Sequence, residues 1–175
     1  SACVLCNRVK MKGEVDAMIV GKQSILFEEN VYIEETACVA GQKESEGPLG
    51  KLFDVVVEDA MAGMENWEEA ESTLQQLAVE KWDGKKEDLR YIFAGDLLGQ
   101  LIATSFGLMQ YEIPMFGLYG ACSTFGEALS LAAMTVRAGY AGHVIALASS
   151  HFASAEKQFR YPLEYGNQRP PASTW

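Results

Sequence analysis

Apolar positions along this chain switch between two spacings. Over residues 66–81, Trp67, Ala70, Leu74, Leu77 and Ala78 recur at three- and four-residue steps, which predicts an amphipathic helix. Glu68, Glu69 and Glu71 fall in its first turns, where the helix dipole favours acidic groups, and Gly84 is placed to end it. Tyr91-Ile92-Phe93-Ala94 is a short continuous apolar run and predicts a buried strand ending at Gly95-Asp96. Residues 97–109 then read as a helix, 115–119 as a buried strand, 125–138 as a helix closed by Gly139, and 144–148 as a further strand. Nearer the start, 22–28 and 31–33 read as a hairpin around Glu29-Asn30. Residues 37–50, with Gly41, Gly47, Pro48 and Gly50, read as a loop, and 52–61 as a helix. Strands separated by helices imply parallel crossovers and an α/β fold.

In such folds functional groups collect at the carboxyl ends of the strands. Three candidates follow predicted strands in this way: Asp96, Cys122 and the run Ser149-Ser150-His151. Cys122 stands in Gly120-Ala121-Cys122-Ser123-Thr124-Phe125-Gly126-Glu127, just ahead of a helix that Thr124 and Glu127, three apart, would close as a capping box. A thiol there lies at the positive end of a helix dipole, a setting that favours the thiolate. The plainer readings are a buried inert thiol for Cys122, a helix cap for Asp96 and a loop residue for His151.

Composition narrows the function classes. The 175 residues are 49% apolar and 22% charged, a globular balance with length for a sizeable core. A formal net charge of −10 argues against a nucleic-acid binder and against an electrostatic membrane anchor. Between 97 and 136 the apolar stretch is broken by Glu112 and Glu127, so no membrane-spanning run is present. The four cysteines are Cys3, Cys6, Cys38 and Cys122. Cys3-x-x-Cys6 would need two more ligands to hold zinc, and a preceding strand to be thioredoxin-like, so the expected reading is a disordered terminal pair. Reduced cysteines point to an intracellular compartment.

Several segments together carry a family resemblance. They are Gly21-Lys22-Gln23 with Phe27-Glu28, Glu46-Gly47-Pro48-Leu49-Gly50 with Leu52-Phe53-Asp54, and Ala94-Gly95-Asp96-Leu97-Leu98. Phe116-Gly117-Leu118-Tyr119-Gly120-Ala121-Cys122-Ser123-Thr124 and Ser149-Ser150-His151 follow, and the run from Ala155 through Gln158-Phe159-Arg160-Tyr161-Pro162 to Gly166 completes the set. The strand–Cys122–helix element is similar to the nucleophile element of thiolase-fold condensing enzymes. The whole set resembles the stage V sporulation protein AD family, from about Met18 to Trp175.

The resemblance implies the N-terminal half of a thiolase-like fold, a mixed and largely parallel sheet with helices on both faces. Residues 18–175 would be that domain, and 1–17 an extension without family counterpart, expected to be disordered. The family's length continues well beyond Trp175, so the second half, which completes a condensing site with His and Asn groups, is not in this sequence. An uncovered apolar face is then expected, and a homo-oligomer is left open. The implied function is binding of dipicolinic acid, as its calcium chelate, for uptake into the developing spore. Cys122, Asp96, Ser123, Ser150 and His151 are the ligand-binding candidates. Calcium enters only as part of the ligand, with no resident metal or cofactor. The implied partners are membrane proteins of the same sporulation operon, at the spore inner membrane. An acyltransferase carrying its acyl group on Cys122 is the second function class, and it would need a base and an oxyanion hole.

Overall fold

The computed structural model describes residues 2–8, 17–82, 84, 86–97 and 101–151, with the backbone alone at 2–8, 17 and 18. Eight strands are present among them: β1 (Ala2–Arg8), β2 (Ala17–Val20), β3 (Ser24–Phe27), β4 (Tyr32–Gly41), β5 (Val55–Val57), β6 (Leu89–Asp96), β7 (Met115–Gly117) and β8 (His143–Ser149). The helices are α1 (Gln42–Ser45), α2 (Trp67–Lys81), α3 (Ile102–Leu108) and α4 (Thr124–Arg137). Six strands form one sheet in the order β5-β4-β1-β8-β6-β7, and β2 pairs with β3 apart from it. The pairs β4–β5, β6–β7 and β6–β8 are parallel, while β1 runs antiparallel to both its neighbours.

Side chains alternate across the sheet and divide the core in two. Ile92 and Ala94 of β6 and Ile145 and Leu147 of β8 face one side, where Leu74, Ala78 and Val79 of α2 and Leu108 of α3 cover them. Phe93, Val144 and Ala146 face the other side, under Ala128, Ala132 and Val136 of α4. Ile92, Ile145 and Leu147 are wholly buried, each contributing about 1.5–3 kcal/mol. The helices thus cover both faces of a mixed, mostly parallel sheet. The strands of 91–94 and 144–148 and the long helix of 66–81 stand where their spacing placed them, with Asn66 capping α2 by accepting from the Glu69 N–H at 2.9 Å.

Other elements differ from the sequence reading, each for a physical reason. Residues 24–27 pair with β2 upstream, not with 31–33, because 32–41 forms one long strand committed to the main sheet. That strand runs through the first part of the expected 37–50 loop, with Ala37, Val39 and Ala40 buried. The predicted helix over 52–61 is instead a turn and β5, whose three successive valines favour a strand, paired with β4. The helix predicted from 97 begins at Ile102, after Leu101 in a left-handed turn at φ 69°. Most consequentially, Ala2–Arg8, expected to be disordered, forms strand β1. It is inserted between β4 and β8, hydrogen-bonded along both edges, which places Cys3 and Cys6 in a strand. Residues 9–16 and the aromatic run of 159–166 lie outside the described residues.

Candidate functional site

A pocket opens at the carboxyl ends of β6 and β8, facing the start of α4. Leu97, Ala121, Cys122, Thr124, Phe125, Ala148, Ser149 and Ser150 line its volume of about 240 Å³. That is below the ~300–1,000 Å³ of sites for drug-sized ligands and suits a single-ring molecule. Parallel strands ending beside a helix start put these residues together, as the β–α order requires. The pairing of β6 with β8 continues to the pocket edge, where Leu97 N–H donates to Ser149 O at 3.0 Å.

The turn carrying Cys122 is pinned from several directions. Leu118 N–H donates to Ala94 O at 2.8 Å, holding the segment after β7 against β6. The approach is so close that a Cβ at Gly95 would lie 2.0 Å from Leu118 O. Gly120 N–H donates to Thr124 Oγ1 at 3.1 Å, and the Ser123 hydroxyl donates to Gly120 O at 2.7 Å. Ala121 adopts φ 48°, a left-handed conformation uncommon outside glycine, and so swings Cys122 to the mouth of α4. Cys122 is exposed there as a free thiol.

The capping box expected of Thr124 and Glu127 does not form. Residues Ala121–Ser123 make a single 3-10 turn that runs directly into α4, and Thr124 is its first helical residue. Thr124 Oγ1 therefore serves Gly120, and the Thr124 N–H is taken by Ala121 O. Ser123 is the N-cap by position but its hydroxyl is turned back to Gly120.

The structure brings only two of the five predicted ligand residues, Cys122 and Ser150, to the pocket wall. Ser123 is outside the lining for the reason just given. His151 points elsewhere: its Nε2 lies 2.7 Å from Ala60 O, and its ring stands 5.3 Å from that of Trp67. The loop that offers Ala60 is itself shaped by Asp59, which accepts from Gly63 N–H at 2.7 Å and Met61 N–H at 3.0 Å. These two N–H groups hold the Asp59 carboxyl below its ordinary range, Gly63 contributing more.

Asp96 is wholly buried beneath the pocket and acts as a cap for α3. Its Oδ2 accepts from Thr104 N–H at 3.1 Å and Oγ1 at 2.7 Å, and its Oδ1 from Leu101 N–H at 3.3 Å. Behind the wall it joins residues the sequence did not single out. Gln75 Nε2 donates to Thr104 Oγ1 at 3.1 Å and to Ser149 Oγ at 2.5 Å, and Ser149 Oγ donates to Glu71 Oε1 at 2.8 Å. Glu71 had the pattern of a solvated first-turn acid, yet it is 2% exposed. The available signal was its four-residue spacing from Gln75, which puts both on one helix face beside Leu74 and Ala78.

Among the described residues no three His, Cys, Asp or Glu side chains cluster as a metal site. No helix among them is long and apolar enough to cross a membrane.

Comparison with known proteins fits this arrangement to a family. The model of the family described as stage V sporulation protein AD matches residues 21–175. Stage V sporulation protein AD of Bacillus subtilis (strain 168) is 38% identical over 160 residues, covering 89% of this chain and 47% of that protein. The chain thus spans about half the length of the curated relative it matches. A match running from the turn before β3 through Cys122 to Trp175, at this identity, leaves one conclusion: the chain belongs to the stage V sporulation protein AD family.

Proposed function

We propose that the chain supplies one half of a thiolase-like pocket that binds dipicolinic acid, as its calcium chelate, during its uptake into the developing spore. Membership of a sporulation family supports the setting. The carrying observation is the character of the pocket wall. It offers one thiol, three hydroxyl-bearing residues (Thr124, Ser149 and Ser150) and apolar contacts from Leu97 and Phe125, with no ionisable base among its described residues. Shape, apolar surface and a few polar contacts suffice for binding a planar ring. Acyl transfer on Cys122 would need a base in hydrogen-bond reach of the thiol, and His151 is turned to Ala60. The exposed thiol at a helix mouth favours that second reading, and a base from the other half of the family's length would complete it. The partners in this proposal are membrane proteins of the same operon, at the spore inner membrane, with calcium entering as part of the ligand.

Titration calorimetry on the full-length protein tests the proposal. Dipicolinate with calcium should bind, and Cys122→Ala and Ser150→Ala should each weaken it about tenfold, the loss of one or two good contacts. His151→Ala should act less, through the loop at Ala60. Wild-type affinity in both pocket variants moves the site elsewhere. Turnover of an acyl thioester with the acyl group trapped on Cys122 establishes the acyltransferase reading instead.

A further inference from the structure

Residues of a strand alternate between its two faces, so Cys3 and Cys6, three apart, belong to opposite faces of β1. The pairing register gives each its own neighbours. Cys3 stands opposite Cys38 of β4 and Ala148 of β8, whereas Cys6 stands opposite Glu35 and Ile145. The match of Cys3 with Cys38 is undisturbed, because the irregularity in this pairing comes later, between Cys6 and Asn7. The backbone of Cys38 shows which kind of pair this is. Its N–H donates to Asp54 Oδ2 at 2.8 Å, and its carbonyl accepts from Asp54 N–H at 3.0 Å. Asp54 leads into β5, on the side of β4 away from β1. With both groups turned that way, Cys38 offers neither to β1, and the match is a non-hydrogen-bonded pair. Such pairs hold their Cα atoms about 4.5 Å apart. Disulfides span Cα separations of about 4.4–6.8 Å, so the strands need not move for the two sulfurs to join. Cys38 is partly exposed, which leaves a small oxidant a way in.

We propose that Cys3 and Cys38 are a redox site: they form a reversible disulfide that clasps β1 into the sheet. The oxidant is a low-molecular-weight disulfide. The Cys38 thiolate attacks one sulfur of that reagent and expels a small thiolate, leaving a mixed disulfide on Cys38. The Cys3 thiolate then attacks Cys38 Sγ and expels the second. The reagent's S–S bond breaks as the protein's forms, two electrons pass from the cysteines to the reagent, and the two thiol protons end on the two released thiols. An excess of small thiol runs the same steps backwards. The row Cys38–Cys3–Ala148 crosses three adjacent strands and ends at the pocket wall, so the clasp steadies the sheet beside the pocket whatever the pocket binds. The bond also closes residues 3 to 38 into a loop, which restricts the unfolded chain.

The test uses the full-length protein with residues 1–8 in place, treated with oxidised glutathione, quenched with acid and mapped without reduction by mass spectrometry. The expected product is a pair of peptides joined through Cys3 and Cys38 and released by dithiothreitol. It should form faster in the folded protein than in urea, where the register is lost. Oxidation should raise the melting temperature by about 5–10 °C. Cys6→Ser should keep both the bond and the shift, while Cys3→Ser and Cys38→Ser should each lose them. A bond from Cys3 to Cys6, a bond from Cys3 or Cys38 to Cys122, or mixed disulfides with glutathione alone overturns the proposal. A bond between Cys3 and Cys38 that fails to raise the melting temperature, or that forms no faster than in urea, overturns it as well. If a serine variant does not fold, the peptide map and melting curve of the wild type decide the matter.

Discussion

At the scale of single residues, Cys122 and Cys38 differ in access. Cys122 is exposed at the pocket mouth, while Cys38 is partly buried in β4, its N–H donating to Asp54 Oδ2 at 2.8 Å. Iodoacetamide should therefore alkylate Cys122 faster than Cys38 near neutral pH, by about tenfold or more, since reaction needs an accessible sulfur. Site-resolved mass spectrometry measures both rates, and equal rates would place Cys122 under cover. Much of this was legible beforehand, because a cysteine between a strand and a helix has few places to go. The fate of Asp96 was legible too, as the plainer of two readings. What sequence could not show was where each serine is used: Ser123 and Ser150 look alike in the chain, but the Ser123 hydroxyl turns to Gly120 while Ser150 lines the pocket.

At the scale of elements, α2 carries more than its own helix. Its apolar residues cover the sheet while Glu71 and Gln75 reach under the pocket, so its register sets the pocket floor. Asn66 fixes that register at the amino end. Asn66→Ala should cost about 1 kcal/mol, lowering the melting temperature by about 2–4 °C, as calorimetry or circular dichroism would show. A cap of no consequence would leave the melting temperature unchanged. The helix was readable because its apolar period is long and uninterrupted. The error over 52–61 has the opposite origin: a short apolar run fits either period, and only pairing of Val55–Val57 with β4 decides for a strand.

At the scale of the whole molecule, β1 is the surprise. It precedes the region matched by the family, yet it holds β4 and β8 together from the middle of the sheet. His143 Nε2 and Glu34 Oε2, on its two flanking strands, approach to 3.3 Å across the same gap. Deleting residues 1–8 should open two strand edges and lower the melting temperature by at least about 5 °C, or leave the protein aggregated. An unchanged melting curve would return 1–8 to the status of an extension. Elsewhere the surface keeps large apolar groups exposed. Ile102, Phe106 and Met109 stand at helical spacing along α3 and the turn after it, with Phe116 and Tyr119 at or near the edge strand β7. Exposure of this extent accords with a chain spanning 47% of its relative.

By itself the sequence determined the α/β class, the long helix, the two buried central strands and the placing of Cys122 beside the ends of β6 and β8. These follow from local period and from the short reach of βα connections, which are written in neighbouring residues. Only the tertiary structure decided that Ala2–Arg8 enters the sheet, since strand partners are chosen by edges far away in the chain. It alone turned His151 toward Ala60 and buried Glu71 beneath Ser149. Burial and hydrogen-bond direction depend on what lies opposite a side chain, and residues 71, 75, 104 and 149 meet only when α2, α3 and β8 are packed.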